Sequence, residues 1–300
     1  MQTKILMCPL VSEDLWRSIR AIRSSFHQLN HNLLYGVHVV INSLDQEFID
    51  GIVGFCESNN IQYSVTESDG TPSTGKNAVF DVFKKSDFTH LAQLDGDDLF
   101  YPTFLTQVER HLKKYPNTDV LSTIPLDVIV ENYEDGMHKL NNGLYTQLWG
   151  TNYADMHSWV GQLGRDPIVD GISIANYARF VLFSKKITEI DFRYDKEMII
   201  GEDKKLHFDF LAAHQNDKIS YWLTMASDMW ICDRISIGIQ KKHSSRENFI
   251  EEDNVVTQNL QKYVSSILNP DRSGPGEIPI DYPPMIFNHN DKVKFLNEFF

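Results

Sequence analysis

The sequence predicts an α/β fold, a mostly parallel sheet with helices on both faces. Three observations lead there. Short apolar, β-branched runs recur through the first third of the chain, amphipathic helical stripes separate them, and the connections are short. Strands that alternate with helices need crossover connections, and those connections cover both faces of a parallel sheet.

The first apolar run, Lys4–Leu10, reads as a strand. Ser12 is then expected as an N-cap, and Leu15, Ile19, Ile22, Phe26 and Leu29 follow at the three-and-four spacing of an amphipathic helix. GVHVVIN, Gly36–Asn42, is a second strand, and Phe48, Ile52 and Phe55 mark a second helix that ends near Asn59 and Asn60. Ile61, Tyr63 and Val65 alternate as a third strand. Ala78, Val79, Val82 and Phe83 predict a third helix, and Phe88–Leu94 a fourth strand running into Asp95-Gly96-Asp97-Asp98. Pro102 suits the first turn of a fourth helix carrying Leu105, Val108 and Leu112. Residues 117–178 read as long loops and short strands, Arg179–Ser184 as a buried strand, and Gly201–His214 as a helix. Beyond Leu268, five prolines (Pro270, Pro275, Pro279, Pro283, Pro284) predict an irregular tail draped over the domain. The expected organisation is one domain over 1–265, with halves 1–126 and 127–265, and a tail over 266–300.

In a sheet of this kind ligands collect at the carboxyl ends of the strands. The loops after the first four strands, Pro9–Ser12, Asn42–Asp45, Glu67–Gly75 and Asp95–Asp98, should therefore crowd one edge. The chain is 300 residues long, 42% hydrophobic and 23% charged, with a formal net charge of −13. Such a surface does not attract nucleic acid or anionic lipid in bulk, so an anionic substrate needs a local cation cluster or a metal. Cys8, Cys56 and Cys232 form neither a zinc pattern nor a disulfide framework. The apolar run at the N-terminus is too short for a signal peptide and no stretch is long enough to cross a bilayer, so a reducing, cytoplasmic setting is expected.

Four clusters could carry chemistry. Asp95, Asp97 and Asp98 place three carboxylates at the end of an apolar strand. Their mutual repulsion suits a hard divalent cation bridging to phosphates, and it also suits an acidic turn that caps the next helix. GTPSTGKNAVF puts Gly70, Gly75 and Lys76 in the register of a phosphate-binding P-loop, with Asn77 at the Ser/Thr position. Glu202 and Asp203 open a helix, where the helix dipole favours carboxylates and would keep a proton-accepting aspartate ionised. Lys241, Lys242, His243 and Arg246 form the dense basic cluster of an acidic chain. They could neutralise a departing diphosphate, with His243 as a metal ligand, or could be a solvated loop.

The order of these segments resembles the family 2 glycosyltransferases of the GT-A fold. CPLVSEDL, INSLDQEF, GTPSTGKNAVF, LDGDDLFYPTFL and the later GEDKKL carry the resemblance, continuously over Lys4–Leu126 and again at the GED segment. It implies a Rossmann-like, mostly parallel central sheet with an irregular acceptor-side region. GKNAVF looks like the family's A-R-N-x-G-L segment, with Lys76 in the arginine position and Asn77 where the family has asparagine. Carried over by position, Pro9, Leu10, Asn42, Lys76 and Asp95 would bind the nucleotide-sugar. Asp97 and Asp95, with His243, would hold Mn²⁺ or Mg²⁺, and Asp203 would be the catalytic base with Glu202 beside it. Lys241, Lys242 and Arg246 would stabilise the diphosphate. Two departures stand out: Asn42-Ser43-Leu44 replaces an acidic D-D-G, and Lys76 lacks arginine's bidentate geometry.

The activity implied is inverting sugar transfer from a nucleotide-sugar, UDP-linked by expectation, to an acceptor hydroxyl. Competing readings are a P-loop NTPase or kinase built on Gly70–Lys76, a binder of the same fold without turnover, and a nucleotidyltransferase. The last lacks its glycine- and arginine-rich loop after strand one.

Overall fold

The computed structural model describes residues 2–123, 127–129, 137–141, 144–147, 179–198, 201–226, 228–233 and 278–299, with short helical pieces between 255 and 267. The elements of the first third are β1 (Lys4–Val11), α1 (Leu15–Phe26), β2 (Leu34–Ile41), α2 (Gln46–Ser58), β3 (Gln62–Val65), α3 (Pro72–Lys85) and β4 (His90–Asp95). Then come β5 (Leu99–Phe100), α4 (Phe104–Lys114), β6 (Val120–Thr123), β7 (Asp127–Ile129), β8 (Met137–Asn141) and β9 (Leu144–Gln147). The chain continues with β10 (Arg179–Ser184), α5 (Lys185–Glu189), α6 (Glu202–Gln215), β11 (Tyr221–Thr224), β12 (Trp230–Asp233), β13 (Ile280–Asp281) and α7 (His289–Phe299).

Eight strands form the main sheet in the order β13-β11-β6-β10-β4-β1-β2-β3. All neighbours pair in parallel except β10, which runs antiparallel between β4 and β6. A second, five-stranded sheet has the order β5-β12-β7-β9-β8. The pleat of β1 explains the layering. Ile5 and Met7 pack with Ala21 of α1 and with Phe104, Leu105 and Val108 of α4, whereas Leu6, Cys8 and Leu10 pack with Val79, Phe80 and Phe83 of α3 and with Leu206, Phe210 and Leu211 of α6. A strand apolar on both sides is what a sheet covered on both faces requires. The expected fold class is thus observed.

Four local expectations are corrected. The N-cap of α1 is Asp14, whose carboxylate accepts from Arg17 N at 3.0 Å, and Ser12 precedes it in the loop; Leu29 lies beyond the helix. Helix α3 begins at Pro72, capped by Thr71, so Ser73 to Lys76 are helical rather than loop. Helix α4 is preceded by Thr103, leaving Pro102 in the turn ahead of it.

The last correction concerns the proline-rich tail. Ile280–Asp281 pairs in parallel with β11 as an edge strand, and 289–299 is helical. All five prolines lie at or before Pro284, so nothing in 285–299 opposes a helix. Two buried carboxylates fix this segment. Asp228 accepts from Ile286 N and Phe287 N, each at 2.9 Å, and from Gln107 Nε2 at 2.7 Å. Asp281 pairs with His111 Nδ1 at 2.9 Å and Lys114 Nζ at 3.2 Å. Phe295 and Leu296 then pack against Leu99, Tyr101 and Ile231.

Candidate active site

Where β4 and β10 meet, their ladder covers only Leu91–Phe183 and His90–Ser184. Beyond it, Gln93, Leu94 and Asp95 of β4 face Arg179, Phe180 and Val181 of β10 across a cleft. The cleft opens at the carboxyl end of β4, and the same cavity is lined by Lys76, Tyr194, Asp203, His207 and Trp230. The sheet therefore parts at the edge where a parallel sheet collects its ligands.

The acidic turn sits at this opening. Asp95 and Asp97 are half-buried, and Asp98 is buried, with its N–H bonded to Asp95 O at 3.0 Å. A Cβ at Gly96 would lie 2.6 Å from Leu10 O and 2.8 Å from Val11 Cα, so only glycine lets the turn pass this close to β1. Pro9 and Leu10 are buried beside it, with Leu10 in register with Asp95.

Asn42, just past β2, is buried and engaged within the protein. Its Oδ1 accepts from Thr66 Oγ1 at 2.8 Å and its Nδ2 donates to Thr71 O at 3.1 Å. It ties together the loops that follow β2 and β3.

Lys76 lies in the second turn of α3, buried, and its Nζ donates to Glu202 Oε1 at 2.8 Å. The N-terminus of α3 is placed by Gly75, where a Cβ would stand 2.8 Å from both Asn42 Nδ2 and Leu10 Cδ1. Gly75 is thus a packing glycine inside a helix, and the amides that a P-loop would wrap around phosphate belong to helical residues instead. Burial opposes the Lys76 ammonium, yet Glu202, Asp95 and Asp203 around it carry its pKa well above the usual lysine value. Tyr194 covers the ammonium, with its ring centroid 5.2 Å from Nζ. The amide of Asn77 holds Tyr194 there: its Nδ2 donates to Tyr194 O at 2.8 Å and its Oδ1 accepts from Tyr194 N at 2.9 Å.

Glu202 and Asp203 open α6 as expected, and the helix dipole favours both. Their environments separate them. Burial pushes the Glu202 carboxyl up, against the pull of Lys76. Asp203 is also penalised by burial, but Lys76, Arg179 and His207 outweigh that and bring its pKa down to about 2. Its Oδ2 accepts from Arg179 NH1 at 3.1 Å, and its side chain remains 26% exposed to the cleft. One turn on, His207 stacks on Phe180 with centroids 3.8 Å apart, and its Nδ1 sits 2.6 Å from Tyr221 Oη.

Of the residues singled out in the sequence, Asp95, Lys76 and Asp203 line one cleft; Pro9, Leu10, Asn42, Asp97 and Glu202 are not among its lining residues, although Leu10 is in register with Asp95 and Glu202 pairs with Lys76. Lys241, Lys242, His243 and Arg246 lie outside the described residues. Five lining residues with polar side-chain groups were missed: Gln93, Arg179, Tyr194, His207 and Trp230. For His207 a signal existed, since it stands one helical turn after Asp203. Gln93 sits inside an apolar strand run, directly ahead of the acidic turn.

Metal fit can be judged on donor type. Asp95 and Asp97 offer hard oxygen donors at a half-exposed turn, and Mg²⁺ or Mn²⁺ commonly takes one or two carboxylates and completes its shell with water and phosphate. Among the described residues no group of three or more potential ligands is present.

No family model matches the chain, and no curated protein matches it. Solved structures do. S. aureus TarS 1-349 in complex with UDP-GlcNAc superposes with a TM-score of 0.54 at 14% identity, over 91% of this chain and 69% of that one. S. aureus TarS, at TM-score 0.49 and 14% identity, covers 77% of this chain and 37% of its own. TarS 1-349 in complex with UDP, at 0.47 and 14%, covers 77% and 60%. This chain thus spans well under two-thirds of the longer TarS structure. At such identity the likeness is one of fold, and the fold is of the GT-A type. No helix among the described residues is long and apolar enough to cross a membrane.

Proposed function

We propose that this chain is a glycosyltransferase that moves a sugar from a UDP-linked donor to an acceptor hydroxyl with inversion. The observation that carries this reading is the shared cleft: the phosphate-side carboxylate Asp95 and the proton acceptor Asp203 line one cavity at the carboxyl end of the sheet. A structural neighbour captured with UDP-GlcNAc supports the choice of ligand class.

In this reading, Pro9 and Leu10 form the floor beneath the base, and Asn42 fixes the loops around it. Asp97, with Asp95, would hold a divalent ion, and His243 would add to it. When bound, that ion supplies positive charge against the donor's diphosphate. Arg179, partly exposed at the cleft, offers a further cation to the same phosphates, and Lys241, Lys242 and Arg246 are assigned that task as well. Lys76 is committed to Glu202, so its role is to set the charge state of the carboxylates rather than to grip phosphate.

Asp203 accepts the proton of the acceptor hydroxyl. Its low pKa keeps it ionised throughout the neutral range. A carboxylate held this low is a weak base toward a resting hydroxyl. The acceptor oxygen becomes strongly acidic as its bond to the anomeric carbon forms and the bond from that carbon to the diphosphate oxygen breaks, so the proton passes late to Asp203 and UDP departs with the bonding electron pair. Glu202 braces Lys76 from behind.

The test is a thermal-shift panel of UDP-, GDP-, CMP- and dTDP-sugars and ATP, with and without Mn²⁺. Ligands that bind the native state raise its melting temperature by mass action. UDP-linked donors with Mn²⁺ are expected to stabilise most. A shift with ATP alone that disappears in Lys76→Ala would favour the NTPase reading, and no shift with any nucleotide-sugar would overturn this one.

A further inference from the structure

Two polar side chains in the wall of the cleft stand out. Gln93, 7% exposed, and Trp230, 5% exposed, both line the cavity. Gln93 Oε1 and Trp230 Nε1 are buried and have no hydrogen-bond partner among the described residues. Buried polar atoms are nearly always paired, because burying one without a partner costs stability. Both residues line one cavity, from different sheets (β4 and β12), whereas three further such atoms among the described residues belong to residues that do not line it. An indole N–H is only a donor and an amide oxygen only an acceptor, so the pair calls for a ligand that can both accept and donate. Hydroxyl groups do both.

Position narrows the choice. Along the carboxyl edge the sheet runs β2, β1, β4, β10. The base floor lies at β1 and β2, the acidic turn ends β4, and the cleft with Asp203 lies between β4 and β10. A donor laid along this edge, base first and diphosphate at the acidic turn, puts its sugar into the cleft. Resting on the donor reading above, we infer that Gln93 and Trp230 are specificity-determining residues that read hydroxyls of the transferred sugar. They recognise a hydroxylated pyranose, and Gln93 tells a sugar bearing a hydroxyl there from its deoxy counterpart. A site built to hydrogen-bond a hydroxyl rejects the analogue that lacks it, because its own buried group is then left unpaired.

The experiment is calorimetric titration of the full chain with UDP, UDP-glucose, UDP-galactose and UDP-N-acetylglucosamine in Mn²⁺. Wild type is compared with Gln93→Met and Trp230→Phe, which keep an apolar body and remove the polar atom. UDP should bind each variant about as tightly as wild type, while the best UDP-sugar should lose roughly ten-fold in each. In wild type, at least one ring-deoxy form of that donor should show the same loss, and Gln93→Met should not discriminate against it further. The ligand-free variants should melt at or above the wild-type temperature, because an unsatisfied buried group has been removed. Unchanged UDP-sugar affinity in both variants overturns the assignment. So does a marked fall in ligand-free melting temperature in both, which would make the two atoms structural. If wild type binds neither UDP nor any UDP-sugar, the donor reading itself fails and takes this assignment with it.

Discussion

Lys76 Nζ lies 2.8 Å from Glu202 Oε1, joining the start of α3 to the start of α6 across 126 residues of sequence. Both side chains are buried, at 11% and 6% exposure, and Asp203 follows directly in the chain. The pair carries the charge balance of the cleft. Lys76 lets two adjacent carboxylates coexist in a buried place, and it depresses the one that faces the cavity.

Removing Lys76 alone should therefore be costly. Lys76→Met leaves Glu202 buried without its partner and is expected to destabilise the fold by about 3–5 kcal/mol, the range for breaking a buried pair. The double variant Lys76→Met/Glu202→Met should recover most of this, since two apolar groups replace a matched pair. Urea denaturation at neutral pH measures both. A double variant no more stable than the single one would show that the ion pair is not what the two side chains contribute.

Asp203→Asn should abolish transfer, by a factor of about 100 or more, while donor binding survives. The amide keeps the shape and removes the proton acceptor. Turnover measured alongside nucleotide-sugar titration separates the two effects. Near-normal turnover would show that another group takes the proton.

Asp97→Ala should act differently, weakening Mn²⁺ and donor binding together. In a thermal-shift experiment the Mn²⁺-dependent part of the donor's stabilisation should vanish. Donor binding that keeps its full Mn²⁺ dependence would remove Asp97 from the metal site.

The fold should weaken on mild acidification. Burial lowers the His90 pKa to about 4, against the opposing pull of Asp119. The folded state thus prefers the neutral ring, and the unfolded chain takes up its proton near the usual pH of 6.5. Stability is complete above that value and is lost as pH falls from there toward 4, by up to about 1.4 kcal/mol per pH unit. His111, lowered in the same direction by burial, adds to the slope. Urea midpoints between pH 7.5 and 5 should show the decline, and His90→Gln should flatten it. A midpoint that is constant over that range, or a slope unchanged in His90→Gln, would contradict the assignment.

The strands and helices of the first third were legible because each burial pattern is local. The stripe through Leu105, Val108 and Leu112, all buried, can be read within a single element, whereas in β3 the alternation marked the strand although Val65 is exposed. Caps were less legible. Ser12 and Asp14 are equally good capping types, and only the backbone decides which one precedes the first helical turn. The C-terminal strand and helix were hidden because their order depends on distant partners. Asp228 holds Ile286 and Phe287 from 58 and 59 residues away, and Asp281 of the segment itself reaches His111, 170 residues away.

By itself, the sequence determined the class of fold, the acidic turn at the end of an apolar strand, and the carboxylate pair at a helix start. These follow from short-range chemistry: periodicity, strand-end position and helix dipole. Tertiary structure alone decided what surrounds them. It set Lys76 on Glu202 rather than in a phosphate loop, brought Arg179 and His207 to Asp203, and left Gln93 Oε1 and Trp230 Nε1 without a hydrogen-bond partner among the described residues. Electrostatics and hydrogen bonding depend on distance in space, and a cleft formed where two strands part brings together residues whose separation along the chain says nothing of their neighbours.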